Sequence, residues 1–202
     1  MPNWCSNFVQ ITHPDSERIQ ALAEAARKGR FCEHIIPTPA ELREHSAPEY
    51  DEARAEEFLA KYGYTDWYSF CVARWGTKWD VDPYDNVEVQ PHYMSFGFDS
   101  AWSPPTGIYE ALVADGFTVD AMYYEPGMAY AGVFDEFGDE YFQFDGMSSS
   151  EVRENIPVGL DAEFGISDQM EEWEKENEDD VTRWYKDGVE ETGLTPHEGP
   201  KD

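Results

Sequence analysis

The sequence predicts an α+β fold, in which helices pack on one face of an antiparallel, ferredoxin-like sheet. A helical insertion interrupts it at about residues 40–80, and an acidic helical extension follows at the C-terminus. Three observations carry this reading. Several short segments alternate apolar and polar residues, as half-buried strands do. Residues 15–28 place Ile19, Leu22, Ala23 and Ala26 at the spacing of one helix face. The order runs strand, helix, helical insertion, strand, helix and then strands joined by tight hairpins, which suits one antiparallel sheet with helices on it.

The elements follow in order. NFVQIT (7–12) reads as the first strand. The helix of 15–28 has Asp15 or Ser16 as its cap and Gly29 as its stop. FCEHII (31–36) is short and apolar, and Pro37 and Pro39 break it, so an irregular segment is expected there. Residues 51–62 read as a second helix, and a third starts at Asp66 and ends in WGTKWD (75–80). DVDPYDN (80–86) has the composition of a loop. HYMSFGFD (92–99) alternates, with Met94, Phe96 and Phe98 on one face. Ser103 is the expected cap of the next helix, with Pro104 in its first position and Gly116 after its end. FTVDAMYY (117–124) and YAGVFDEF (130–137) form a hairpin around EPGM, and EFGDEYFQF a second one turning at Gly138.

The texture changes at about residue 147, so 1–147 is read as the α+β domain and 148–202 as the acidic extension. SSSE (148–151) is a capping-box signature for a short helix ending before Pro157. Residues 168–191 read as a long acidic helix with Met170, Trp173, Val181, Trp184 and Tyr185 as its apolar stripe.

Charge narrows the function classes. The chain has 202 residues, and its 43 acids against 14 bases give a net charge of -29. Nucleic acids and anionic membranes are both bound through Lys and Arg, so neither is expected as a direct partner. A basic protein partner is expected instead. The three cysteines, Cys5, Cys32 and Cys71, form neither a CxxC pair nor an even set, which points to a reducing compartment and a cytoplasmic protein. The N-terminus MPNWCSN lacks the basic and apolar regions of a signal peptide.

The motifs divide between packing and chemistry. In WGTKWD, Trp75 and Trp79 are candidate aromatic anchors, Lys78 a candidate cation and Asp80 a candidate carboxylate. Trp102 of WSPP is a further candidate wall of the same pocket. The competing reading is preferred: Gly76 ends a helix, both indoles cap the core, and Lys78 favours the negative helix end. DVDPYD is oxygen-rich but departs from the calcium-loop pattern, with Pro83 at the fourth position, Tyr84 at the fifth where a ligand belongs, and no glycine at the sixth. Pro2 as an N-terminal amine base, Cys71 with His92 as a nucleophile and base, and Glu125 as a lone acid find no local support. The Pro-Gly of EPGM reads as a type II turn. No catalytic residue, metal or cofactor is assigned. The acid-rich helix offers Glu171, Glu172, Glu174, Glu178 and Asp179 as a phosphate-like array for a basic partner; a solvated helix face is the preferred alternative.

MPNWCSN, IIPTP (35–39), WGTKWD, SFGFDSAWSPP (95–105) and YYEPGMAYAG (123–132) together resemble the YubB-like family of bacteriophages and conjugative plasmids. The likeness spans roughly residues 1–145. It implies a ferredoxin-like domain acting inside a bacterial cell. The family has no accepted catalytic residues, so no site is carried over. Genes of this kind often serve accessory roles, counter-defence among them. The leading expectation is therefore a non-enzymatic accessory protein, an acidic inhibitor or decoy of a basic host or defence protein. The alternatives are a small-molecule or peptide binder, or an enzyme, with a pocket at WGTKWD and WSPP, and a structural or assembly partner.

Overall fold

The first strand, β1 (Trp4–Thr12), alternates as a strand with one buried face does. Cys5, Asn7, Val9 and Ile11 are buried, while Trp4, Gln10 and Thr12 are exposed. The structure, a computed structural model, describes residues 3–177. It divides into two units, Met1–Asp145 and Gly146–Asp202.

In the first unit, β1 pairs antiparallel with β3 (Tyr93–Ala101) along its whole length and with β4 (Thr118–Glu125) on its other side. The hairpin partner of β3 is β2 (Glu88–Gln90), and β5 (Tyr130–Asp135) and β6 (Gly138–Gln143) extend the sheet beyond β4. The sheet order is β2-β3-β1-β4-β5-β6, all antiparallel. With α1 (Ser16–Arg27) after β1 and α6 (Thr106–Ala114) after β3, the first four strands form the βαββαβ plan of a ferredoxin-like domain. Ile19, Leu22 and Ala26 of α1 and Ile108 and Leu112 of α6 meet Val9, Met94, Phe96 and Val119 of the sheet in one apolar core.

The insertion between α1 and β2 holds four helices: α2 (Phe31–Ile35), α3 (Ala40–Arg43), α4 (Glu52–Tyr62) and α5 (Trp67–Trp75). Phe31, Cys32, Leu42, Phe58, Phe70 and Trp75 carry it into the same core. Asp66 starts α5 through a capping box with Ser69. Gly76 ends it with a φ of 90° in the left-handed region. A Cβ on Gly76 would sit 2.7 Å from the Pro104 carbonyl oxygen and 3.0 Å from the Thr106 nitrogen. Glycine thus permits both the turn and the close approach of the end of α5 to the start of α6.

The second unit contains α7 (Ser149–Asn155), α8 (Val158–Phe164) and a helical stretch over residues 166–177. Ser148 and Glu151 form the capping box that opens α7. Val152, Leu160 and Ile166 are fully buried. Among the described residues no helix is long and apolar enough to cross a membrane.

Several elements differ from expectation. FCEHII is a short helix, α2, rather than irregular chain. The segment is only five residues long, too short for its period to be read. β2, α3 and α8 are additional, and they too are short. α6 begins at Thr106, not at Pro104, and Pro105 takes the cap position without a side-chain bond. Ser103 instead donates its hydroxyl to the Gly76 carbonyl at 2.5 Å. EPGM is not a type II turn: Ala129, not Gly127, has the positive φ, at 52°. Glu125 is buried and accepts the N–H groups of Gly127 and Met128, so its carboxylate holds the turn. In the apolar stripe, Met170 is half-buried, whereas Trp173 is 63% exposed. Val181, Trp184 and Tyr185 lie outside the described residues.

Candidate functional site

WGTKWD runs from the last residue of α5 toward β2, and two of its side chains tie it to distant segments. Thr77 Oγ1 donates to the Ala101 carbonyl at 3.0 Å and accepts from the Ala101 N–H at 3.1 Å. At the far end, Asp80 Oδ1 accepts the N–H of Cys32 at 2.8 Å and that of Val81 at 3.0 Å, and Oδ2 accepts the N–H of Glu33 at 3.0 Å. These bonds draw the first turn of α2 against the motif. A cleft of about 550 Å3 forms where the two segments meet. That volume lies in the range of small-molecule sites.

The cleft has an apolar floor and a cationic rim. Trp75 is 2% exposed and donates its indole N–H to the Ile36 carbonyl at 2.9 Å, so it offers only ring surface. Trp67 and Trp79 complete the aromatic lining. Trp79 is 39% exposed and meets Trp4 at a ring separation of 6.1 Å. The expectation that both indoles cap the core therefore holds for Trp75 alone. Lys78 lies over aromatic rings: its Nζ is 4.4 Å from the Trp79 ring and 5.5 Å from that of Tyr68, a cation–π arrangement.

Arg30 and Arg43 join Lys78 around the cleft, facing the carboxylates of Glu33 and Asp80. The two acids have protein donors already. Glu33 pairs with Arg43 and accepts the Thr38 N–H at 3.1 Å, and Asp80 receives the three N–H groups described above. Among the described residues neither Arg30 nor Lys78 forms an ion pair. Free N–H donors therefore outnumber free acceptors, so the cleft suits an anion.

Its thiol does not suit nucleophilic work. Burial pushes Cys71 up to about 11, with the Thr38 hydroxyl acting in the opposite direction. Burial likewise raises Cys5 to about 12 and Cys32 well above the ordinary thiol range. A thiol in that state is not a thiolate at neutral pH. Burial also raises the Asp80 carboxyl, against the three N–H groups that lower it. Among the described residues no group of three His, Cys, Asp or Glu is placed to hold a metal ion.

No family model and no curated protein matches this chain. A solved structure, described as protein api92 from Yersinia pseudotuberculosis, family DUF1281, is similar at 11% identity. The alignment covers 70% of this chain and 98% of that one, with a TM-score of 0.36.

Of the five residues expected to form one pocket, Trp75, Lys78, Trp79 and Asp80 share the cleft. Trp102 does not; it is 49% exposed and lines two other hollows, one shared with Lys78 and Tyr68 and the other with Tyr123, Tyr130 and Tyr141. Asp80 is a helix-capping carboxylate rather than a free contact. Arg30, Arg43 and Trp67 were not expected there. No local motif marks them; the one signal is that bases are scarce in this chain.

The candidate acids of the extension are differently placed. Glu171 pairs with Arg153 at 2.6 Å and with Lys175 at 2.5 Å. Glu174 accepts the Ser149 N–H and hydroxyl, each at 2.7 Å, and so caps α7. Glu172 is exposed, and Glu178 and Asp179 lie outside the described residues.

Proposed function

We propose that this protein binds a small anionic ligand with a planar aromatic part, a mononucleotide being the test case. The observation that supports it is the composition of the WGTKWD cleft. In a chain with 43 acids and 14 bases, three bases and two acids line this one hollow, and three indoles share it. Both acids are already bonded within the protein, so the rim is left with donors. An aromatic ring stacks on the indoles while Arg30 and Lys78, the two bases without an ion pair, take the anionic group. Nothing in the cleft supplies an activated nucleophile, so the reading is binding rather than catalysis.

The test is calorimetric titration of the full chain with adenine and uridine mononucleotides and with an indole carboxylate. Arg30→Ala with Lys78→Ala should weaken the binding by about tenfold or more, since a hydrogen bond to a charged group contributes about 1.5–3 kcal/mol. Folding stability should move by less than about 1 kcal/mol, because neither side chain forms an ion pair among the described residues and the Lys78 contacts with Trp79 and Tyr68 are exposed cation–π contacts. Failure of every anion to bind at millimolar concentration overturns the proposal.

A second reading, the acidic inhibitor or decoy of a basic protein in a bacterial host, is supported by the net charge of -29 and by the YubB-like resemblance. Glu171 and Glu174 are committed to contacts in their own unit, which leaves Glu172, among the acids described, as the exposed contact. Capture of a basic partner at low salt that is lost at roughly 0.5 M salt, where charges are screened within a few ångströms, would support it.

A further inference from the structure

A second cleft, of about 350 Å3, has the opposite chemistry. It lies on the β4–β5–β6 part of the sheet, beside the loop that leads into α6. Trp102, Tyr123, Tyr130 and Tyr141 line it together with Asp139. No Lys or Arg lines it, and Asp139 is its single charged group.

The rings are held in place from several sides. Tyr123 and Tyr130 meet edge to face at 6.1 Å, and Tyr130 meets Tyr141 at 5.2 Å. Gly132, opposite Tyr123 in the ladder, has no side chain because one would collide with that tyrosine ring. Tyr130 donates its hydroxyl to the Trp102 carbonyl at 2.5 Å, and Tyr141 donates to Gln143 Oε1 at 2.6 Å. Trp102 has a φ of 72°, which a bulky residue adopts only under constraint, and its ring is half exposed at the mouth. Tyr123 donates to Asp139 Oδ1 at 2.8 Å, and no donor among the described residues reaches Oδ2. Partial desolvation raises the Asp139 carboxyl, and a cation beside it would offset that.

We propose that this cleft is an aromatic cage for a quaternary ammonium group. Two exposed rings, Trp102 and Tyr141, backed by the buried Tyr123 and Tyr130, stand beside the exposed Asp139 carboxylate and recognise a large, weakly hydrated cation through ring surface and the unpaired oxygen. An anion finds no Lys or Arg here and would face the Asp139 carboxylate. A small hydrated cation gains little from rings, so the alkylated cation is selected. This site is independent of the WGTKWD cleft and does not rest on the function proposed for it.

The experiment titrates the full chain with choline and with 3,3-dimethyl-1-butanol, its uncharged isostere, followed by ligand-observed NMR and tryptophan fluorescence. A peptide bearing trimethyl-lysine forms a second arm. Choline, the peptide or both should bind, and the isostere should bind at least about tenfold more weakly, the cation–π and charge contributions being lost together. Binding of choline alone assigns a free metabolite, and binding of the peptide alone assigns a protein side chain. Asp139→Asn and Tyr141→Leu should each weaken the cation by about three- to thirtyfold, whereas Tyr141→Phe, which keeps the ring, should leave it unchanged. Equal affinity for choline and its isostere, no binding in either arm, or equal loss in Tyr141→Phe and Tyr141→Leu would overturn the proposal.

Discussion

Asp80 accepts the backbone N–H of Cys32 at 2.8 Å, across 48 residues of sequence. This bond, with its neighbour to Glu33, joins the two segments that form the cationic cleft. Asp80→Ala leaves both N–H groups without an acceptor in a part-buried position. The expected cost is about 1–3 kcal/mol, read from urea unfolding. Ligand binding at the cleft should fall with it. Unchanged stability would show that α2 needs no such cap.

Gly76 is the pivot between α5 and α6. Its φ of 90° and the nearness of the Pro104 carbonyl leave no room for a methyl group. Gly76→Ala should cost more than the roughly 1–2 kcal/mol of a left-handed conformation alone, because the contact must also open. Gly63→Ala is the internal control, since Gly63 has a φ of 80° and no atom within 4 Å of an added Cβ. If the two variants lose equal stability, the close approach is energetically idle.

Trp102 separates ring from backbone. Trp102→Gly and Trp102→Ala both remove the indole, but only glycine relieves the left-handed conformation. The glycine variant should therefore be the more stable of the two by about 1–2 kcal/mol in chemical unfolding. An alanine variant as stable as the glycine one would mean that the loop relaxes freely.

Acid should act on the second unit through Glu171. The Lys175 ammonium and the Arg153 guanidinium hold its carboxyl down at about 2, below the ordinary value of 4.5. Its contribution to stability is thus complete above pH 4.5 and disappears as pH falls toward 2. Helical circular dichroism of the full chain should decline in that window, and Glu171→Gln should flatten the decline. The decline should also shrink in high salt, since all three groups are exposed at the surface. A profile identical in the glutamine variant would show that the pair carries no stability.

Local pattern set much of this protein. The alternation of β1 and β3, the period of α1, the start of α5 at Asp66, the capping box at Ser148 and the stop at Gly76 each involve residues within a turn or two of one another. A reader of the chain sees them directly. The same holds for the charge of -29, which is a sum. Short elements such as α2, β2 and α8, of five, three and seven residues, escape because they span too few periods for a pattern to stand out and carry no capping box.

The sites were decided by tertiary structure. Trp75, Lys78, Trp79 and Asp80 are neighbours in sequence, but only folding brings Arg30 and Arg43 to them. Trp102 looked like a fifth member, yet the junction of α5 and α6 sends it to tyrosines 123, 130 and 141. Trp75 and Trp79 stand four residues apart and have opposite fates, one buried under Ile36 and the other open to water. The sequence specifies which residues can bury, stack or pair. Which of them share one hollow depends on bonds between distant segments, such as Asp80 to Cys32, and those exist only once the chain has closed on its core.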